Sequence, residues 1–536
     1  MFKFGRRCVF ALALFGLAAS SVFSAVDYDN QKLTLALITD PPSLDSAKAT
    51  DSISGMVLGH VMEGLLRYDR ENRLVPGIAL RWQFDEQGAV FYLREDARWS
   101  DGQPVTADDF VFAWRRALDP ATASQYAFIL YPLKNAEAIN QGRMPPEKLA
   151  VEAVDSRTLR LELRSPTPHF LKLLTFWTYL PQREDFYTQH ANDYASGHDK
   201  LLYTGPFQIT RWVRDARLVL ERNPHYWDQQ AIRLQQIDWA YFTADSSTVL
   251  NLFRDSQIAE TGLNAELLQV ALREGWRMQR STTGAIFYLG FNHRAFAPTA
   301  NADLRRALHL VFDPYELINL VIGIPGQLPG LSFFPVWLQG QTQAFRIEHP
   351  APAHRPDLAK AREHLARAAR TMGGEIPPLV LLSGDTPSAR REAEYFQGLF
   401  SNRLGLNIRI DAQVFKQRLS KMLSGQYDIV MAGWGPDYDD PLTFGDLFTS
   451  WNQNNRGEYR NPELDQWVRL AESSFDPAER MRAFAEVQRI IYEDTVVIPT
   501  YESSQILVTH PRLKGVIRRP IGTSPDYTRA WIEPAP

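Results

Sequence analysis

Trp99-Ser100-Asp101-Gly102, followed by Pro104-Val105-Thr106-Ala107-Asp108-Asp109-Phe110, is the stretch on which the reading of the whole chain turns. The apolar run Val90-Phe91-Tyr92-Leu93-Arg94 before it predicts a strand. Asp101-Gly102 marks a turn. Thr106 stands where a helix N-cap belongs, with Asp109 three residues on. That is capping-box spacing, and it sets a carboxylate near the positive helix end. Phe110, Val111, Trp114 and Leu118 then share one helix face. The block predicts a strand, a turn and a helix with structural roles and no catalytic one.

The same grammar extends outward. Residues 33–39 are apolar enough for a buried strand, and 57–66 carry apolar residues at helical spacing. In the second half, 379–382 predicts a strand, 391–404 a helix closed by Gly405, 408–415 a strand and 417–423 a helix. Such alternation implies an α/β lobe. A long helix is expected over 477–492, and the Pro-rich segment 349–356 reads as an exposed loop. No internal repeat is present.

A second stretch carries chemistry: Met431-Ala432-Gly433-Trp434-Gly435-Pro436-Asp437-Tyr438-Asp439-Asp440-Pro441. It follows Tyr427-Asp428-Ile429-Val430, a strand ending. Its glycines and prolines force a loop of special backbone geometry. Trp434 can wall a pocket and Asp437 can receive a cation. Glycines on either side of Trp434 let another backbone approach. A polar turn around a packed tryptophan is the other reading of these residues.

The block at 81–120 resembles the family 5 extracellular solute-binding proteins, the receptors of peptide and nickel ABC importers. The likeness continues through Gly205-Pro206-Phe207, the hairpin of 207–213 with 217–221, and Phe287-Tyr288-Leu289-Gly290-Phe291-Asn292. It closes on Val497-Ile498-Pro499-Thr500-Tyr501. Within the family, Asp119 to Ala127 and the 432–441 loop look like periplasmic oligopeptide-binding receptors. The resemblance implies an α/β periplasmic-binding-protein fold of two lobes with an extra inserted domain, three domains in all, with a cleft between lobes. It places a first lobe at 26–62, 187–288 and 505–536, an inserted lobe at 63–186 and a third lobe at 289–504.

By motif position, the resemblance makes Asp437 the acceptor of a peptide amine. Gly433 and Gly435 become backbone partners of an extended ligand. Trp434 and Tyr126 become ligand-facing aromatics, and Phe415 falls at a side-chain pocket. Departures matter too. Met431 stands where such receptors carry an arginine for the peptide carboxylate. Ala389 falls near a histidine position, with Arg390 beside it as a substitute, and Gly435 replaces a disulfide cysteine. The amine end is therefore expected to be read as in relatives, and the other end differently, with Met431 facing a bulky apolar group.

Composition sets the compartment. Lys3, Arg6 and Arg7 precede an apolar run at 9–19, which predicts an export signal cleaved after Ser24 or Ala25. General secretion is the expected route, with a twin-arginine route as the alternative. Cys8, the only cysteine, precedes that run, so no lipid anchor and no disulfide are expected. Losing the three positive charges takes the formal net charge from −4 to −7, which argues against nucleic acid and anionic membranes.

The function implied is a periplasmic receptor, monomeric, that encloses an oligopeptide or amine-bearing ligand and delivers it to an ABC transporter permease. No cofactor or metal is expected. A different cargo is the alternative: a metal chelate, a haem-like compound or an oligosaccharide, the last permitted by thirteen tryptophans. A secreted hydrolase is a remote third reading. His-Glu-x-x-His, Gly-x-Ser-x-Gly and a phosphate-cradling loop are all missing from the sequence.

Overall fold

The computed structural model describes residues 24–452 and 454–534. The export signal and Cys8 therefore lie outside the described residues, save for the expected cleavage point at Ser24 and Ala25.

The strand–turn–helix block forms as its residues dictate. The strand is Gly88–Leu93, Gly102 takes the left-handed turn position at φ +86°, and the helix is Ala107–Leu118. The Asp109 carboxylate accepts the Thr106 backbone N–H at 2.8 Å and the Trp99 indole N–H at 3.1 Å. Burial pushes that carboxyl up to about 6, even though both hydrogen bonds favour its charge. Ala79–Phe84, Gly88–Leu93, Thr158–Glu162 and Val151–Asp155 make one antiparallel sheet in that order.

A second sheet runs Val26–Asp27, Lys32–Leu37, Gln236–Phe242, Arg217–Arg222, Phe207–Val213. The hairpin of its last two strands is the one read from the sequence. These two sheets share a single apolar core, in which Phe110, Trp114, Phe207 and Trp239 are all at most 1% exposed. A buried ion pair crosses the same region. Arg116 donates to both oxygens of Asp45 at 2.8 and 2.6 Å, with Gln182 as a third partner. We call this assembly the first body.

The second body is built on the largest sheet, ordered Glu260–Leu263, Val497–Thr509, Met278–Phe291, Ile429–Trp434, Leu379–Gly384, Ile408–Gln413. Its last three strands are mutually parallel, and helices Pro387–Leu404 and Phe415–Ser424 make the crossovers. Separate apolar clusters around Phe312 and Phe396, and around Phe334 and Phe484, form its core. The strands Met278–Phe291 and Val497–Thr509 pair along most of their length, with an irregularity between Thr282 and Ile286. Gly284 there has φ +79°, and a Cβ on it would lie 2.6 Å from the Pro520 carbonyl oxygen. Only glycine fits that crossing.

Two local expectations need correction. The early helix is Ser52–Val61 rather than 57–66, because the Asp51 carboxylate caps it by accepting the Ile53 and Ser54 N–H groups. Leu66–Tyr68 is instead a strand paired with Leu74–Pro76. The strand expected to reach residue 415 ends at Gln413, and Phe415 opens the next helix. Segment 349–356 is a loop, as expected, held where the His354 ring stacks on His309 at 4.2 Å and its Nε2 meets the Phe312 carbonyl at 2.9 Å.

Candidate functional site

The strand Ile429–Trp434 pairs on one side with Met278–Phe291 along its whole length. On the other side it pairs with Leu379–Gly384 only at Ile429 and Val430. From Met431 onward its second edge has no strand partner among the described residues. The chain then leaves the sheet as a loop, and Thr443 fixes that loop at two points. The Trp434 indole N–H donates to the Thr443 carbonyl at 2.6 Å, and Thr443 Oγ1 accepts the Asp437 N–H at 3.1 Å.

This loop faces the first body across a cavity of about 1390 Å³. Trp434, Gly435, Pro436 and Asp437 line one wall; Tyr126 and Trp177 line the other. The Asp437 side chain keeps part of its surface open to the cavity but sits deep in the protein. Its carboxylate has no ion-pair or hydrogen-bond partner among the described residues. Burial alone pushes it up to about 6. Burial first, then the charges of Glu472 and Asp437, raise Asp446 well above the usual range. A desolvated carboxylate without a cation is a seat for one.

The opposite wall is aromatic. Tyr126 packs on Phe176 at 5.0 Å and on Trp177 at 5.9 Å, and those two rings stack at 4.0 Å. The Trp177 indole donates to the Ala49 carbonyl at 2.9 Å, and its ring covers Gly55, where a Cβ would lie 2.5 Å away. Burial, together with the Asp437 charge, pushes the Tyr126 phenol up to about 12. The Asp437 charge therefore reaches Tyr126 across the gap.

The bodies touch beside the cavity. Tyr438 stacks on His169 at 5.5 Å with an 18° interplanar angle, and Phe84 meets Phe475 at 5.6 Å. Lys172 Nζ is 3.9 Å from both Asp439 and Asp440. Asp440 is also gripped by Arg480 at 2.9 and 2.7 Å. Burial opposes its charge, but Arg480 and Lys172 outweigh that and hold the carboxyl well below the usual range.

Of the residues singled out from the sequence, the cavity brings together Asp437, Trp434, Gly435 and Tyr126. Gly433 sits on the unpaired edge just outside it, and a Cβ there would lie 3.0 Å from the Phe287 ring. Phe415 is 70% exposed on its helix, and Arg390 is held by the Asp385 carbonyl at 3.0 Å; neither lines the cavity. Met431 corrects an expectation. Its side chain packs in the core with Leu289, Leu381 and Ile429, because strand alternation turns it inward. The Phe176–Trp177 pair, Thr443 and Arg456 were missed. The run Phe176-Trp177-Thr178-Tyr179 was a visible aromatic signal; Thr443 and Arg456 carry none.

Comparison with known proteins gives a consistent picture. Residues 73–456 match the family model for bacterial extracellular solute-binding proteins, family 5 Middle. The oligopeptide-binding protein OppA of Bacillus subtilis (strain 168) is 30% identical over 510 residues, which is 93% of this chain and 92% of that protein. The substrate-binding domain of an oligopeptide ABC transporter from Bacillus anthracis superposes with a TM-score of 0.79 at 31% identity, covering 94% of this chain and 99% of that one. Listeria monocytogenes OppA bound to peptide gives 0.78 at 29% identity, covering 94% and 100%. The two-lobed α/β binding-protein fold with an extra domain is thus shared with peptide-binding proteins.

Proposed function

The chain belongs to the bacterial extracellular solute-binding proteins of family 5, and we propose that it is an ABC-importer receptor that encloses an oligopeptide or another extended amine ligand. The observation that carries this reading is Asp437: a deep carboxylate without a protein cation, opposite Tyr126 of the other body. An arriving ammonium gains a charge-assisted hydrogen bond there, worth roughly 1.5–3 kcal/mol. The amides that follow it can pair with the free strand edge at Gly433 and Gly435, as in β-strand addition. A Cβ on Gly435 would meet nothing within 4 Å, so the backbone there is open to approach. Main-chain pairing is indifferent to side chains, which suits a receptor for varied peptides.

Mechanistically, the ligand touches both bodies and so favours the form in which they are closed. The closed form then docks on a membrane permease. No helix among the described residues is long and apolar enough to cross a membrane. Export to the periplasm through the 1–25 leader fits the family. N-terminal mass spectrometry of exported protein distinguishes cleavage after Ser24 from cleavage after Ala25.

Ligand-dependent melting tests the cargo class. A panel of free-amine peptides, their N-acetylated forms, oligosaccharides and nickel chelates separates the readings. Free-amine peptides should raise the melting temperature and the acetylated forms should not. Equal shifts for both forms, or a shift with sugar alone, overturn the proposal.

A further inference from the structure

The two bodies meet at a seam beside the cavity, and Tyr438 is its keystone. Its ring packs against the apolar core of the first body and against one core of the second. Its neighbour on the first body is His169, stacked on it at 5.5 Å with 18° between the ring planes. The next residue, Phe170, stacks on Phe84 at 6.2 Å, and Phe84 meets Phe475 of the second body at 5.6 Å. His169 thus stands in a strip of aromatic rings that crosses from one body to the other. It is 7% exposed, and its Nδ1 is buried with no hydrogen-bond partner among the described residues.

Charged groups face the ring from both sides. Lys172, on the short helix Phe170–Leu173 that His169 caps, lies 3.9 Å from Asp439 and Asp440 of the second body. Arg480, on the helix Pro477–Glu493, grips Asp440. Tyr68 of the first body feels Asp439 and Asp440 too, and its buried hydroxyl has no hydrogen-bond partner among the described residues. Burial comes first in setting the His169 ring: it pulls the ring down to about 4, opposed by Asp440 and assisted by Arg480 and Lys172. Asp440 already answers two cations and does not compensate a third. An imidazolium has two N–H groups to satisfy, and the seam offers Nδ1 no acceptor. Neutral, the ring is a flat surface for Tyr438. Protonated, it is a desolvated cation beside two others.

Resting on the receptor reading above, in which the closed form holds the cargo, we propose that His169 is an acid-sensitive latch: neutral, it seals the seam against Tyr438, and protonated, it parts the bodies and frees the cargo. Once the seam is open, water reaches the ring and it titrates near its ordinary 6.5. The cost of closing is therefore absent well above that pH, grows as the pH falls, and is complete below about 4. Between pH 7.5 and 5 the ratio of closed to open form drops about thirtyfold.

Stopped-flow tryptophan emission tests this on the full exported chain. Tetra-alanine is the probe, and Trp434 and Trp177 in the cavity are the reporters. His169→Phe keeps a stacking ring without a proton site, and His169→Gln keeps a polar group that does not titrate. From pH 7.5 to pH 5 the dissociation rate of the unmodified chain should rise at least tenfold more than that of either variant. Asp437 is present in all three chains, so its own protonation cancels in the comparison. Equal acceleration in all three overturns the latch. Small-angle scattering of the ligand-free chains judges the latch without any cargo: the radius of gyration should be larger at pH 5 than at pH 7.5 for the unmodified chain and should not respond in the variants. A radius indifferent to pH, or one that responds alike in the variants, also overturns the latch. Failure of tetra-alanine to bind at pH 7.5 tells against peptide reception, and the scattering still decides the latch.

Discussion

Replacing Asp437 by Asn separates binding from stability in opposite directions. The carboxyl moves from an ordinary 3.8 to about 6 on folding, with burial as the cause. A raised carboxyl favours the folded state only while it is protonated. Its cost is absent below about pH 4, grows between 4 and 6, and is complete above 6. The shift of about two units corresponds to about 3 kcal/mol at neutral pH, and to about 2 kcal/mol once water in the cavity is allowed for. Asp437→Asn should therefore stabilise the ligand-free protein at pH 8 and hardly at all at pH 4. The same change should weaken a free-amine peptide at least tenfold, about 1.4 kcal/mol. Denaturation of the ligand-free pair at both pH values, with calorimetry at pH 7.5, gives the answer. A variant of equal stability at pH 8 and equal affinity refutes the claim that Asp437 is a desolvated, unpaired cation acceptor.

For the unmodified chain, affinity for an amine ligand should fall at least tenfold between pH 7.5 and pH 5, because protonation of a carboxyl near 6 competes with the ligand; a flat profile over that range rejects the assignment. Gly435→Val adds atoms where no neighbour lies within 4 Å, so melting should hold while peptide binding drops severalfold; retained binding excludes close backbone approach there. Arg480→Ala strands Asp440 in a buried place and should cost about 3–5 kcal/mol in chemical denaturation. Lys172→Ala removes a long contact between the bodies at 3.9 Å and should raise the peptide dissociation rate severalfold in stopped flow, with little change in melting.

Much of the fold could be read from residue patterns where one physical rule dominated. The Thr106 and Asp109 cap, the left-handed Gly405 after Leu404 and the hairpin at 207–222 each rest on local chemistry. The early helix starts sooner than its apolar spacing suggests because Asp51, six residues before Val57, caps it. The facing of Met431 was not legible for a different reason. Ile429-Val430-Met431-Ala432 is apolar throughout, so a period of two leaves no trace. Phe415 follows Val414 without a turn signal, and only the helix cap geometry separates strand from helix there. At the site, Asp437 and Trp434 stood out because loop chemistry surrounds them. Trp177 and Arg456 belong to segments far apart in the chain and line the same cavity through the tertiary fold alone, which no local pattern encodes.

The core common to the four-stranded and five-stranded sheets has a mechanical consequence. Three sheets amount to two levers, because the first pair cannot slide apart without tearing Trp114, Phe207 and Trp239 out of one apolar mass. Spin labels on those two sheets should keep their separation when ligand arrives. The ribbons at 278–291 and 497–509 have their pairing interrupted beside Gly284, so any swing of one lever against the other concentrates its strain there.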